Sequence, residues 1–282
     1  MKTMIITDSI SDLTPNIAAE YDIEVLPIRM ALGGDYQRVS DLNVPDTVEW
    51  ILQNKMAPKF KGVGPEYYGE IFEKYINQDM EIVCITSGSR IISNYDCACH
   101  ASTQFPNAKI QIIDSHQLCV SVGFIALKAA AMAHEDFGAD MIASTLKYHM
   151  KDYKQYGIAD TVDFLQYAGI CPKVVSVGSS LLNAKFEFEV QEDMNFVVKV
   201  LGTSMKKAIP SYCKNVFRNL MDIDPAIINI MYTLSDEAYY REVYQYVVGL
   251  NYFKDIVMCR AGHYTNALVG QNGVSVAFQV KK

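Results

Sequence analysis

Glu81-Ile82-Val83-Cys84-Ile85-Thr86-Ser87-Gly88-Ser89 is the stretch that decides the fold. Ile82 to Ile85 is a short apolar run without polar alternation, the pattern of a strand buried on both faces. It ends in small polar residues, and a helix is expected from about Arg90. The same pattern recurs in Met4 to Thr7, which runs into Asp8-Ser9, and in Ile110 to Ile113, which runs into Asp114-Ser115-His116. Ile23 to Met30 reads as a further strand. Between these runs lie helical segments. Thr14-Pro15 supplies a cap and a first-turn proline, Pro45 opens a helix to about Asn54, and Gly64-Pro65 opens one to about Ile76. Ser121 to Phe137 reads as a helix closed by Gly138, and Asp140 to about Tyr153 as another. Buried strands alternating with helices imply parallel pairing through right-handed crossovers.

The second half has a different period. Lys185 to Gln191 alternates strictly, with Phe186, Phe188 and Val190 on one face and Glu187, Glu189 and Gln191 on the other. That is a half-exposed strand of an antiparallel sheet, with Phe196 to Leu201 as its expected partner. A helix over Met205 to Leu220, a strand over Ile227 to Met231 and a helix over Asp236 to Leu250 follow, with last strands at Ile256 to Cys259 and Val274 to Phe278. The expected fold class is α/β. An N-terminal domain over 1–157 carries a largely parallel sheet flanked by helices, and a C-terminal α+β domain over 158–282 carries a mixed or antiparallel sheet.

Composition narrows the function. Among 282 residues, half are hydrophobic and a fifth charged, so the chain can build a core and is not disordered. Lys plus Arg is 25 against 32 Asp plus Glu, a net charge of −7, which argues against nucleic acid as a partner. No run of about 18 apolar residues offers a membrane span. Met1 to Asp8 is too short and too soon acidic for a signal peptide. The seven cysteines are odd in number and scattered, as in a reduced cytoplasmic protein. Cys97, Cys99 and His100 lie close together, yet no second pair with ligand spacing accompanies them, so no metal is expected.

In an open parallel sheet, ligands bind beyond the carboxyl ends of the strands, where Asp8, Ser87-Gly88-Ser89 and Asp114-Ser115-His116 fall. A serine–glycine loop entering a helix offers N–H and hydroxyl donors at the positive end of the helix dipole, which suits a carboxylate or phosphate. It is no Walker loop, and Gly62 and Gly64 lack the third glycine of a dinucleotide fingerprint, whose place Tyr67 takes. A Gly-x-Ser-x-Gly elbow is absent as well. Asp8 could serve as an acyl or phosphoryl acceptor, but nothing supplies a matching acid, base or metal carboxylate, so binding is favoured over catalysis. Gly262-His263 after the Ile256 to Cys259 strand reads either as a turn that exposes an imidazole to a cleft or, the commoner case, as a loop histidine bonded to backbone.

In this order the pieces resemble the DegV family of bacterial fatty-acid-binding proteins. Thr7-Asp8-Ser9-Ile10-Ser11-Asp12-Leu13 resembles its opening motif, and Glu81 to Tyr95 its strand, serine loop and helix. Ile113-Asp114-Ser115, Asp163-Phe164-Leu165 to Gly169, and Gly262-His263 fit later segments. Departures accompany the match. Phe60 stands where a carboxylate-binding threonine is usual, in Lys59-Phe60-Lys61-Gly62-Val63-Gly64-Pro65. Gly88-Ser89 replaces a double serine, and Ile170 replaces an arginine.

The resemblance implies a lipid carrier that holds a fatty acid or related lipid between two domains. It implies presentation of the acyl carboxyl to an ATP-dependent fatty acid kinase, with no catalytic residue and no cofactor of the carrier's own. The implied lipid-binding residues are Ser87, Gly88, Ser89, His263, Phe60, Lys61 and Ile170. Losing an arginine and a hydroxyl removes charge-assisted bonds worth about 1.5–3 kcal/mol each, with Lys59 or Lys61 as possible replacements. The alternative is a hydrolase or transferase acting on a carboxylate or phosphate ester at the same place.

Overall fold

The computed structural model describes residues 2–170, 173–174, 183–191 and 195–281. In chain order its elements are β1 (Thr3–Asp8), α1 (Pro15–Glu20), β2 (Ile23–Leu26), β3 (Arg29–Ala31), β4 (Gln37–Arg38), α2 (Val44–Asn54), β5 (Lys59–Lys61), α3 (Pro65–Ile76), β6 (Glu81–Thr86), α4 (Asn94–Ser102), β7 (Ile110–Asp114), α5 (Val120–His134), α6 (Ala139–His149), β8 (Tyr153–Ala159), α7 (Asp163–Tyr167), β9 (Lys173–Val174), β10 (Lys185–Val190), β11 (Phe196–Gly202), α8 (Met205–Val216), β12 (Ile227–Tyr232), α9 (Glu237–Gly249), β13 (Asp255–Arg260), α10 (His263–Val269) and β14 (Val274–Gln279). They group into two compact units, Met1–Asp41 with Lys59–Lys151 and Leu42–Pro58 with Asp152–Lys282. This differs from a single division after residue 157. Strand β8 belongs to the second unit because β10 and β14 bond to its two edges. Helix α2 joins that unit because it packs on α10, a long-range contact that sequence adjacency cannot show.

In the first unit the sheet order is β2-β1-β6-β7 and every pairing is parallel. β6 is buried along its whole length, as its unbroken apolar run requires. Glu81, at its start, is buried but accepts from Lys109 Nζ at 2.8 Å and from the first N–H of α6, at Ala139, at 2.7 Å. Those two bonds hold its carboxyl below the usual range: the one from Lys109 is the largest effect and opposes desolvation.

Three sequence expectations are corrected here. Ile23 to Met30 is two strands, since Pro27 brings no N–H to a ladder. β2 stays in the parallel sheet, while β3 enters a small antiparallel one, β4-β3-β5, and Ile28 N donates to Ser9 Oγ at 3.1 Å. Helix α5 ends at His134, with Asp136 as the left-handed residue (φ 62°), so Gly138 caps the start of α6 instead. Helix α4 begins at Asn94 rather than near Arg90.

The second unit is built on a mixed sheet, β13-β12-β14-β8-β10-β11-β9. The strict alternation of β10 is realised: Phe186, Phe188 and Val190 are buried while Glu187 and Glu189 are partly exposed. β10 runs antiparallel to both β8 and β11, as expected for Phe196 onward. Helix α8 lays Ala208, Ile209 and Tyr212 on a core that includes Ile228, Ile230, Val276 and Phe278. Tyr212 donates from its buried hydroxyl to the Tyr156 carbonyl at 3.2 Å. No helix among the described residues is long and apolar enough to cross a membrane.

Gly157 lies opposite Phe188 on one side and Ser275 on the other. A Cβ there would come within 2.2 Å of Phe188 Cζ and 2.5 Å of Ser275 Oγ. Gly157→Ala is therefore expected to lower unfolding free energy by about 1–3 kcal/mol in denaturant titration, and adding Phe188→Leu to recover part of that loss.

Candidate functional site

Strand β1 ends in Asp8, which has no exposed surface. Its Oδ1 accepts from Ile10 N at 3.0 Å, capping a single 3-10 turn over Ser9–Ser11. Its Oδ2 accepts from Ser87 N at 2.8 Å and Ser87 Oγ at 2.9 Å. Burial pushes the Asp8 carboxyl above its ordinary pKa, against the pull of the hydrogen bonds from Ser87, Asn94 and Ile10. With both oxygens engaged and no surface exposed, Asp8 is not a reachable acyl or phosphoryl acceptor.

The next strand end supplies a second carboxylate. Asp114 Oδ1 accepts from Ser89 N at 3.1 Å and His116 N at 3.0 Å. Gly88 N donates to the Gln117 carbonyl at 2.8 Å. The N–H groups of Ser87, Gly88 and Ser89 are thus spoken for by their own unit, and the expected nest of free backbone donors at a helix start is not present. The reason is local. The loop runs on to Ser93 before α4 begins, so Ser89 lies five positions ahead of the helix rather than in its first turn. Ser87 gives its hydroxyl to Asp8 as well. Ser89, half-buried, keeps a hydroxyl with no hydrogen bond among the described residues.

Phe60 and Lys61 lie in the same unit, on β5 opposite Met30 and Arg29. Phe60 is partly buried, and Lys61 is exposed with its Nζ 6.0 Å from the Tyr36 ring centroid. A cavity of about 680 Å³ opens elsewhere in this unit, at the amino ends of the strands near Lys2, Asp22 and Asp79. None of the residues singled out from the sequence lines it.

In the second unit His263 is not on an open turn. It is the first residue of α10 and only 6% exposed, because Gly262 caps a helix that the sequence reading missed. Its Nδ1 lies 2.8 Å from Oγ1 of Thr47 on α2. Asn266 fixes the start of α10: its Nδ2 donates to the carbonyls of Ala261 and Gly262, and its Oδ1 accepts from Leu234 N. Ile170 follows Gly169, whose φ of 74° ends α7. Ile170 N donates to the Leu165 carbonyl and Gly169 N to that of Gln166, a Schellman closure in which an apolar residue is usual at the position of Ile170. Thr47 and Asn94 carried no signal in the sequence. Each acts through a partner distant along the chain.

Cys97, Cys99 and His100 sit on α4. No group of three or more metal-ligating side chains comes together among the described residues.

A parallel α/β unit with carboxylate-anchored strand-end loops and a mixed-sheet unit with a buried histidine at a helix start define a two-unit α/β protein. Residues 2–281 match the family model described as "Uncharacterised protein, DegV family", and the chain belongs to the DegV family. A DegV domain-containing protein of Clostridium acetobutylicum is 28% identical over 209 residues, 73% of this chain and 74% of that one. A DegV-family protein of Ruminococcus gnavus, described with vaccenic acid, shares the fold with a TM-score of 0.83 at 18% identity, covering 98% of this chain and 99% of that one. The Streptococcus pneumoniae fatty acid kinase B3 protein, loaded with linoleic acid, does so with a TM-score of 0.80 at 15% identity over 100% of both chains.

A raised Asp8 pKa gives a signed expectation. The stabilising contribution of the protonated carboxyl is fully present below the ordinary aspartate range and is lost as pH rises through the raised value. The stability of Asp8→Asn relative to the parent should therefore improve as pH rises from the ordinary aspartate range through the raised value. Denaturation midpoints of the two proteins across that range, in which the other carboxylates cancel, measure it; a flat difference contradicts it. Thr47→Val removes the hydroxyl beside His263 Nδ1, and a loss of about 1–3 kcal/mol in unfolding free energy is expected.

Proposed function

We propose that this chain is a cytoplasmic lipid carrier that binds a fatty acid, with Ser89 contributing a polar contact to its head group. The observation that carries this reading is the state of the serine loop. Asp8, Asp114 and Gln117 hold its backbone, and the Ser89 hydroxyl is left for a ligand at the carboxyl end of the parallel sheet. The fatty acids named with DegV-family structures of the same fold support the choice of ligand. Phe60 and Ile170 offer apolar surface where donors would otherwise stand, and Lys59 and Lys61 are the cations that flank Phe60. The carrier has no catalytic residue of its own, and its partner is a kinase that phosphorylates the acyl carboxyl. The cysteines described as free, Cys84, Cys97, Cys99, Cys119, Cys213 and Cys259, fit a reducing compartment.

Organic extraction of the purified protein followed by mass spectrometry should recover near-stoichiometric fatty acid. Ser89→Ala should weaken retention by about 10- to 100-fold, the loss of one hydrogen bond to a charged group. Its melting temperature should fall far less. Full occupancy in Ser89→Ala overturns the reading. So does an empty protein that turns over a generic ester or phosphate.

A further inference from the structure

We propose that Asn94 is the positioning residue of the Ser89 loop: its amide fastens that loop to the β5–α3 connection, so that the segments bearing Ser89 and Lys61 are held in one register. The proposal rests on the reading of the Ser89 loop as the head-group site.

Asn94 is the first residue of α4 and has no exposed surface. Its Oδ1 accepts from Val63 N at 2.8 Å. Its Nδ2 donates to Ser87 Oγ at 3.4 Å, and Ser87 Oγ donates in turn to Asp8 Oδ2 at 2.9 Å. The result is a directional chain in which one planar amide accepts on one side and donates on the other. A side chain without both functions on one group cannot reproduce it. Val63 is buried, so losing Oδ1 would leave its N–H without a partner away from water.

Gly62 completes the contact from the other side. A Cβ at this position would sit 2.5 Å from Asn94 Oδ1, and 3.3 Å from Ile92 Cγ1 and from Ser93 Oγ. The backbone after β5 is therefore pressed directly on the amide and on the last residues of the loop. Gly62 is required by this close approach, not by a left-handed φ. Two peptide segments some thirty residues apart in sequence thus share one buried side chain. Phe60 and Lys61 lie immediately before one contact, and Ser89 lies between Ser87 and Asn94 themselves.

Amide hydrogen exchange on the full chain tests the register without a ligand, and oleic acid titration of delipidated protein tests its consequence. Asn94→Leu removes both bonds, and segments 59–64 and 87–91 should both exchange about tenfold faster or more, with β10 and β11 unchanged. Asn94→Asp keeps an acceptor for Val63 but no donor for Ser87, so only 87–91 should lose protection. If Asn94→Leu does not fold, Gly62→Ala displaces the amide from the opposite side and should expose the same two segments. Oleic acid affinity should fall about tenfold with Asn94→Leu, whereas Gly157→Ala, brought to the same melting temperature, should retain it. Unchanged exchange in 59–64 overturns the proposal, and so does an equal loss of oleic acid affinity in Gly157→Ala. A parent protein that takes up no oleic acid overturns the carrier reading instead, and the exchange data still decide the role of Asn94.

Discussion

A carboxylate with no exposed surface organises the carboxyl end of the first unit's sheet. Removing an ionisable carboxyl from water is costly unless hydrogen-bond donors replace the solvent. Asp8 stands at the end of β1, a central strand with β2 on one side and β6 on the other. Its donors come from both directions: Ile10 from its own turn, and Ser87 from the end of β6. The demand of this one group for donors fixes the turn after β1 and the course of the chain after β6. Through Asn94 it reaches the chain after β5 as well.

The chemistry left for a ligand follows from that arrangement. Anchoring consumes the backbone donors of the loop, and Asp114 and Gln117 take those that Asp8 does not. What remains is side-chain chemistry, with the Ser89 hydroxyl foremost. The same economy governs the second unit. His263 is oriented by Thr47 from α2, which precedes α3 of the first unit in the chain, and Asn266 uses both ends of its amide to fix the helix on which the histidine stands. In each unit a buried asparagine, Asn94 in the first and Asn266 in the second, fastens neighbouring segments through both ends of its amide.

The strands were legible because burial on both faces or on one writes a plain period into the chain. Ile82 to Ile85 and Lys185 to Gln191 are the two extremes; the first lies within β6, and β10 covers the second up to Val190. Helix starts at Pro15 and Pro65 were legible for a local reason, the fit of proline to a first turn. Less was legible where local and distant demands compete. The stretch after Ser89 could have continued as helix, but Asp114 and Gln117 claim the N–H groups of Ser89 and Gly88 just ahead of it, and α4 starts only at Asn94. The Ile23 to Met30 run reads as one strand, yet Pro27 divides it between two sheets. Helix α10 is short, and only Ala267-Leu268-Val269 in it form an apolar run, too brief to show a helical period.

By itself the sequence determined the two kinds of sheet, the order of their elements and the polar loops at the strand ends, because hydrophobic period and capping chemistry are properties of neighbours along the chain. The tertiary structure alone decided which of those polar residues are anchors and which are free. That choice depends on which donors reach Asp8 and Asp114 from segments tens of residues away, and on α2 leaving its neighbours in sequence to pack on α10. A buried polar group is satisfied by whatever folding brings to it, and no local pattern records that partner.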